Sequence, residues 1–184
     1  MAEFRHLGDR DVHQGHVWKV VLADFESPDG VPFRRDIVRS PGSVGVVPLV
    51  FDAEGLPSVV LVEQYRPPYE RDVIEIPAGM RDVTGEPPEQ TGRRELIEEA
   101  GLRAGRMAHL VDMLPSPGMT DSVCSIFLAT DCTPAETDRQ GPEEEAMRLL
   151  HLPLADALDM IDRGEISDAK TVVGLLATDR RLRA

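Results

Sequence analysis

Three carboxylates in the segment RRELIEEAGL (93–102) have the spacing of a shared helix face. Glu98 and Glu99 lie three and four positions after Glu95, and a helix of about 3.6 residues per turn places such residues on one side. Carboxylates this close repel one another by roughly 0.2–0.5 kcal/mol per pair on an exposed helix. A hard divalent cation reverses that sign, because Mg²⁺, Mn²⁺ and Ca²⁺ prefer carboxylate oxygens. The spacing therefore indicates a metal site, with a solvated acidic face screened by the two preceding arginines as the plainer alternative.

The helix that would carry these carboxylates has recognisable ends. Pro87 and Pro88 stand where its first turn would lie, and proline suits that turn because its missing N–H is not needed there. Gly101 follows Ala100 as a residue that readily ends a helix in the left-handed conformation. We therefore predict a helix that runs from the two prolines to Ala100.

Apolar runs and turn residues predict the elements around this helix. Residues 16–26 and 31–40 should form a hairpin across the turn SPDG. Helical periodicity marks 154–164 and 167–182, and Ser167 or Asp168 would cap the second of these. The remaining apolar runs predict short strands at 43–52, 57–66, 73–79, 109–114, 122–132 and 147–153. Strands and helices do not alternate regularly, which favours an α+β fold with helices packed on a mixed sheet.

Composition limits the partners and the compartment. The net charge of −13 on 184 residues argues against nucleic acid, because neutralising a phosphate backbone requires lysine and arginine. We expect no membrane span, since no apolar run approaches the roughly 20 residues that cross a bilayer. Cys124 and Cys132 are the only cysteines, and we expect no secretory signal, because the opening residues have no apolar segment after basic residues. These features predict a cytoplasmic protein with reduced thiols.

Residues 79–102 resemble the signature of the Nudix hydrolase family. Glu86, the Arg94–Glu95 pair, the Glu98–Glu99 pair and the following glycine and leucine all stand at the spacing of that signature. Six residues rather than five separate Gly79 from Glu86, so the extra residue changes the loop and leaves the helix in register. The resemblance implies a mixed-sheet α/β/α sandwich, preceded by N-terminal β-strands, that hydrolyses a nucleoside diphosphate linked to another moiety.

The resemblance also implies roles for single residues, with Mg²⁺ as the cofactor and Mn²⁺ as a substitute. Arg94 would orient the glutamates and belong with Glu99 to the catalytic group. Glu86 would either help to orient them or simply favour the positive end of the helix dipole. The family's metal ligands match the carboxylates of Glu95, Glu98 and Glu99 and the backbone carbonyl of Ala78.

The upstream segment EQYRPPYERDVIEIPAG (63–79) resembles the ADP-ribose pyrophosphatase branch of the family. There, the arginine at the position of Arg66 contacts a phosphate, for which a guanidinium fork is well shaped. The glutamate at the position of Glu75 lies near the substrate pocket, and Pro117 stands in a loop where these hydrolases carry a proline.

The same branch implies a homodimer whose N-terminal strands line the adenine pocket. Residues 1–41 would form that dimerisation subdomain here, and residues 42–184 would form the hydrolase domain. Arg34 or Arg35 could stack on the base, and we assign Arg35.

The resembling enzymes take their catalytic base from a mobile loop late in the chain, where this sequence has RQGPEEEAM (139–147). We predict Glu143 as the base and Glu145 as a further metal ligand, and a solvated acidic loop is the alternative. ADP-ribose would then give AMP and ribose 5-phosphate.

Two other functions fit the same residues. The enzymatic alternative is another nucleoside diphosphate sugar, or a nucleotide cofactor such as NADH or coenzyme A, although the additional coenzyme A motif is not found. The other is a domain that binds ADP-ribose without cleaving it, and the intact signature glutamates argue against that function.

Overall fold

The computed structural model of the chain describes residues 3–51, 54–138 and 144–184. The chain divides into two compact units. Unit 1 comprises Met1–Gly42 and Leu114–Val123, and unit 2 comprises Ser43–Met113 and Cys124–Ala184. The roles predicted for residues 1–41, dimerisation and adenine binding, stay predictions.

Unit 1 contains a three-stranded antiparallel sheet in the order β1–β2–β3. Its strands are β1 (Arg5–Gln14), β2 (Lys19–Glu26) and β3 (Pro32–Arg39). The predicted hairpin corresponds to β2 and β3. The sequence pattern does not predict β1, because all of its residues are exposed and it lacks the alternation of a half-buried strand. The segment 114–123 joins this unit through Thr120, whose hydroxyl donates a hydrogen bond to Val38 O (2.7 Å).

Unit 2 is built on a mixed sheet in which β4 and β10 run parallel and the other pairs are antiparallel. The strand order is β12–β5–β4–β10–β9, with β6 paired to β5 and β7 paired to β4. A separate short ladder joins β8 and β11. The strands of this unit are β4 (Ser43–Phe51), β5 (Pro57–Arg66), β6 (Arg71–Glu75), β7 (Ala78–Met80), β8 (Leu102–Arg103), β9 (Arg106–Met113), β10 (Cys124–Thr130), β11 (Thr133–Pro134) and β12 (Arg148–Pro153). The helices are α1 (Pro88–Ala100), α2 (Leu154–Asp162) and α3 (Ala169–Leu182).

Helices cover both faces of this sheet, and the central strands are apolar on both sides. In β4, Val44 and Val46 belong to the core layer that contains Leu96 of α1. The alternate residues Val47 and Leu49 belong to the layer that contains α2 and α3. The near-continuous apolar runs that predicted β4, β5 and β10 are thus buried on both faces of the sheet.

The structure confirms the predicted α+β sandwich with a mixed sheet preceded by N-terminal strands. One predicted strand, 73–79, is divided into β6 and β7. Pro77 lies at the break, and its lack of an N–H is incompatible with a continuous central ladder. Within the described ranges, no helix is long and apolar enough to cross a membrane.

Candidate active site

Helix α1 begins and ends at the residues that the sequence predicted. Pro88 is its first residue, and Gly101 follows its last residue with φ of 62°, a left-handed conformation that costs glycine little. The hydroxyl of the fully buried Thr91 donates a hydrogen bond to Glu86 Oε2 (2.8 Å). Glu86 thus anchors the loop before the helix to its first turn, which fixes where the carboxylate face points.

Two of the three signature carboxylates are buried. Glu95 is 8% exposed and Glu99 is 3% exposed, whereas Glu98 is partly exposed. Burial raises the pKa of Glu95 to about 7 and that of Glu99 to about 8. The neighbouring charge of Glu144 contributes to both of these rises, and Arg94 opposes the rise at Glu95. Added positive charge would favour the ionised form of such desolvated carboxyl groups.

Arg94 connects the carboxylates along the helix. Its Nη1 lies 2.8 Å from Glu95 Oε1 and 2.9 Å from Glu98 Oε2. Its Nη2 lies 3.6 Å from Glu86 Oε2, beyond hydrogen-bond distance. Asp82 Oδ1 lies 3.8 Å from the same Nη2. One guanidinium thus faces four acidic groups, which leaves an excess of negative charge, and its orienting role stays a prediction.

The start of β7 meets α1 at the two buried carboxylates. The backbone N–H of Ala78 donates a hydrogen bond to Glu99 Oε2 (2.9 Å). Gly79 packs so closely on Glu95 that an added Cβ would overlap all three atoms of the carboxyl group. The glycine of the Pro-Ala-Gly sequence is therefore a steric requirement of the Glu95 position.

The donor set fits a hard divalent cation. Carboxylate oxygens are the preferred ligands of such ions, and the excess negative charge around Arg94 would be offset by one. Within the described residues, no group of three or more His, Cys, Asp or Glu side chains is already arranged as a metal cage. Arg94 contacts Glu95 and Glu98, and Ala78 N–H contacts Glu99. The ligand assignment of Ala78, Glu95, Glu98 and Glu99 stays a prediction.

Arg66 and Glu75 form a bidentate ion pair in unit 2. Arg66 Nε donates to Glu75 Oε1 (2.6 Å), and Arg66 Nη2 donates to Glu75 Oε2 (2.7 Å). Glu75 is 2% exposed, while the Arg66 side chain is 38% exposed. The Arg66 charge also lowers the pKa of Glu99, so the arginine lies within electrostatic range of the carboxylate face. That Arg66 and Glu75 contact substrate stays a prediction.

Lys170 is a second cation beside Glu75, and the sequence patterns did not predict it as a site residue. Its Nζ contacts Glu75 Oε2 and lies 3.1 Å from Asp168 Oδ2. A signal for it was available: Lys170 is one of two lysines in the chain, and it stands in the first turn of a predicted helix. The helix dipole disfavours a cation there, so the position of Lys170 indicates that a carboxylate lies beside it.

The loop glutamates are only partly described. Glu143, the predicted base, lies outside the described residues. Glu145 is exposed, and its predicted metal contact is untested. Glu144 is the loop residue whose charge acts on both Glu95 and Glu99.

Arg35 lies in unit 1, where its guanidinium sits over the Phe33 ring, 5.0 Å from the centroid. Phe33 also stacks on Phe25, with a centroid separation of 5.3 Å. These side chains and Pro117 line a cavity of about 560 Å³ within that unit. Arg34 instead pairs with Asp24 (2.5 Å).

Comparisons with known proteins place the chain in a family. A NUDIX domain model matches residues 40–173. An ADP-ribose pyrophosphatase of Bacillus subtilis (strain 168) is 33% identical over 173 residues, covering 94% of this chain and 91% of that protein. An ADP-ribose pyrophosphatase of Mycobacterium tuberculosis (strain ATCC 25618 / H37Rv) is 35% identical over 179 residues, covering 96% and 84%.

Other matches broaden the range of activities among its relatives. A protein of Shigella flexneri named GDP-mannose pyrophosphatase is 34% identical over 160 residues, covering 83% of this chain and 82% of that protein. A solved structure of an ADP compounds hydrolase aligns with a TM-score of 0.80 and 25% identity, covering 98% of this chain and 95% of that one. The family match over most of the chain, together with the carboxylate helix, shows that this chain is an enzyme of the Nudix hydrolase family.

Proposed function

We propose that the chain hydrolyses the diphosphate bond of ADP-ribose to AMP and ribose 5-phosphate, with Mg²⁺ as cofactor. The observation that carries the proposal is the buried Glu95–Glu99 pair, which lies within electrostatic range of a fixed arginine, Arg66. Two relatives that are matched over most of this chain are named ADP-ribose pyrophosphatases, which supports the choice of substrate.

The residues of the chain would position the diphosphate and its counter-charge. Glu95, Glu98, Glu99 and the Ala78 carbonyl would hold Mg²⁺, which when bound offsets phosphate charge and lowers the pKa of a bound water. Arg94 keeps Glu95 and Glu98 together on the helix face. Arg66 presents to a phosphate the N–H groups that Glu75 does not use, and a guanidinium suits that contact.

A loop glutamate would accept the proton of the attacking water. Glu143 is our sequence-based candidate. Glu144 is supported by its electrostatic effect on Glu95 and Glu99, so both require testing. A carboxylate in that position would act as a general base, a role that contributes about 10²–10⁴-fold to such reactions.

The cavity beside Arg35 would bind the base. An aromatic ring and a guanidinium both stack favourably on a flat base, and Phe33 and Arg35 supply these two groups. We further propose that the protein is a homodimer, as the sequence resemblance implies, and light scattering would test this directly.

GDP-mannose is the second candidate substrate, because a relative matched over most of this chain carries that activity in its name. The residues that bind the diphosphate and the metal would be the same, and the cavity of unit 1 would then accept guanine.

A substrate panel tests the proposal. ADP-ribose, GDP-mannose, UDP-glucose, NADH and a diadenosine polyphosphate should be compared by kcat/KM with Mg²⁺ and again with EDTA. We expect ADP-ribose to be preferred and Glu99→Gln to abolish turnover. A higher kcat/KM for GDP-mannose would move the assignment to the second candidate, and full activity in EDTA would refute the metal-dependent mechanism.

A further inference from the structure

Lys170 lies in an environment that its charge alone would disfavour. It is the second residue of α3, at the positive end of the helix dipole. Its side chain is only 14% exposed, although burying an ammonium group is costly unless it is paired. Two carboxylates pair with it: Glu75, which it contacts through Oε2, and Asp168, which lies 3.1 Å away. Lys170 is therefore held in place by specific partners.

Glu75 is the point at which this lysine meets the predicted phosphate-binding arginine. Both of its oxygens accept from Arg66, and Oε2 also contacts Lys170. Burial alone would raise the pKa of Glu75, but the Arg66 hydrogen bond and the Lys170 charge hold it below its ordinary value. Arg66 donates hydrogen bonds to Glu75 from both Nε and Nη2, and these two bonds fix the plane of its guanidinium.

The same end of α3 also fixes the backbone between Glu75 and the carboxylate helix. Asp168 caps α3 by accepting from Thr171 N (3.0 Å) and from the Thr171 hydroxyl (2.6 Å). Thr171 Oγ1 accepts from Ile76 N (2.8 Å). Ile76 lies between β6 and β7, two residues before Ala78, whose N–H donates to Glu99. One helix terminus thus contacts both the side chain of Glu75 and the backbone that follows it.

We propose that Lys170 is a positioning residue for substrate binding: through Glu75 it fixes Arg66 in the orientation that receives the diphosphate. The inference rests on the proposed function only in that Arg66 binds a phosphate. Without Lys170, the buried Glu75 would keep a single cationic partner, and the Arg66–Glu75 pair would lose the contact that ties it to α3. Arg66 would then meet the substrate in more than one orientation, and substrate binding would weaken.

Kinetics of Lys170→Met and Lys170→Arg test the proposal with the preferred substrate of the panel. We expect Lys170→Met to raise KM about tenfold, the effect of weakening one hydrogen bond to a charged group, and to change kcat less than threefold. Lys170→Arg should recover most of the loss because it restores a cation beside Glu75. Arg163→Met is the control and should leave KM unchanged, because Arg163 is a cation of unit 2 that pairs with the exposed Glu165 (2.7 Å). Lys170→Gln replaces the methionine variant should that variant not fold.

A double-mutant cycle with Arg66→Ala separates this inference from the proposed function. If Lys170 acts through Arg66, Lys170→Met should raise KM no further in the Arg66→Ala background. A tenfold rise in both backgrounds would overturn the inference, as would an unchanged KM in Lys170→Met when Arg66→Ala raises it. An unchanged KM in Arg66→Ala itself would refute the phosphate-binding role on which the proposed function depends.

Discussion

Gly79→Ala should separate the catalytic geometry of this enzyme from its stability. The new methyl group would lie well inside 3.0 Å of all three atoms of the Glu95 carboxyl group. To restore an ordinary contact of about 3.5 Å, that group must move by about 1 Å or more. It is the far end of a flexible side chain, so it can move while the backbone stays in place. Loss of the ion pair between Glu95 and Arg94 would lower the stability by up to about 1 kcal/mol. Alanine also reduces the conformational freedom of the unfolded chain, which would raise the stability by up to about 1 kcal/mol.

We therefore expect the free energy of unfolding to change by less than about 1 kcal/mol, while kcat/KM falls about 10²-fold, the usual effect of misplacing a reacting group by about 1 Å. Urea unfolding and steady-state hydrolysis of the preferred substrate measure the two effects. Gly105→Ala is the control, because its Cβ would meet the Asp131 Cβ and carbonyl oxygen at 2.8 Å, in the turn between β8 and β9. That variant should lose about 1–3 kcal/mol of stability and keep its kcat/KM. A Gly79→Ala enzyme with wild-type kcat/KM would refute the argument that Glu95 must occupy this position.

Three further perturbations test the electrostatics, the loop and the base cavity. Burial raises the pKa of Glu95 to about 7 and of Glu99 to about 8 in the fold, so the folded protein keeps protons there that an unfolded chain releases near pH 4.5. Unfolding in urea with EDTA should therefore show stability falling by roughly 3 kcal/mol or more between about pH 5 and 8.5, and Mg²⁺ should restore it; a flat profile would contradict the burial argument. Among Glu143→Gln and Glu144→Gln, the variant that lacks the base should lose about 10²-fold or more in kcat, and unchanged kcat in both would place the base elsewhere. Arg35→Ala should raise KM for ADP-ribose about tenfold with little change in kcat, and an unchanged KM would exclude the cavity from base recognition.

The parts of this fold that were predictable from the sequence are those with local causes. The ends of α1 followed from two prolines and Gly101, whose conformational preferences act without tertiary contacts. The strands β4, β5 and β10 followed from apolar runs that are buried on both faces. The strand β1 has no such cause: its residues are exposed, and its pairing with β2 gives it its conformation.

The candidate site divides in the same way. Helix periodicity alone brought Glu95, Glu98 and Glu99 to one face. The contact between Lys170 and Glu75 joins residues that are far apart in the chain, and their proximity depends on how α3 packs against the sheet. The need for glycine at position 79 has a similar origin, since it arises only when β7 packs against α1. Helix periodicity and capping rules carry no information about such tertiary contacts.

Unit 1 is assembled from two separate stretches of chain, Met1–Gly42 and Leu114–Val123. During synthesis, β1, β2 and β3 would leave the ribosome well before the second stretch. The hydrogen bonds of Val38 to Thr120 and of Arg39 to Asp121 could therefore form only after much of unit 2 had been synthesised. Deleting the first 42 residues would leave Leu114–Val123 without the strand that it joins. Expression fragments that respect this architecture must retain both stretches or remove both.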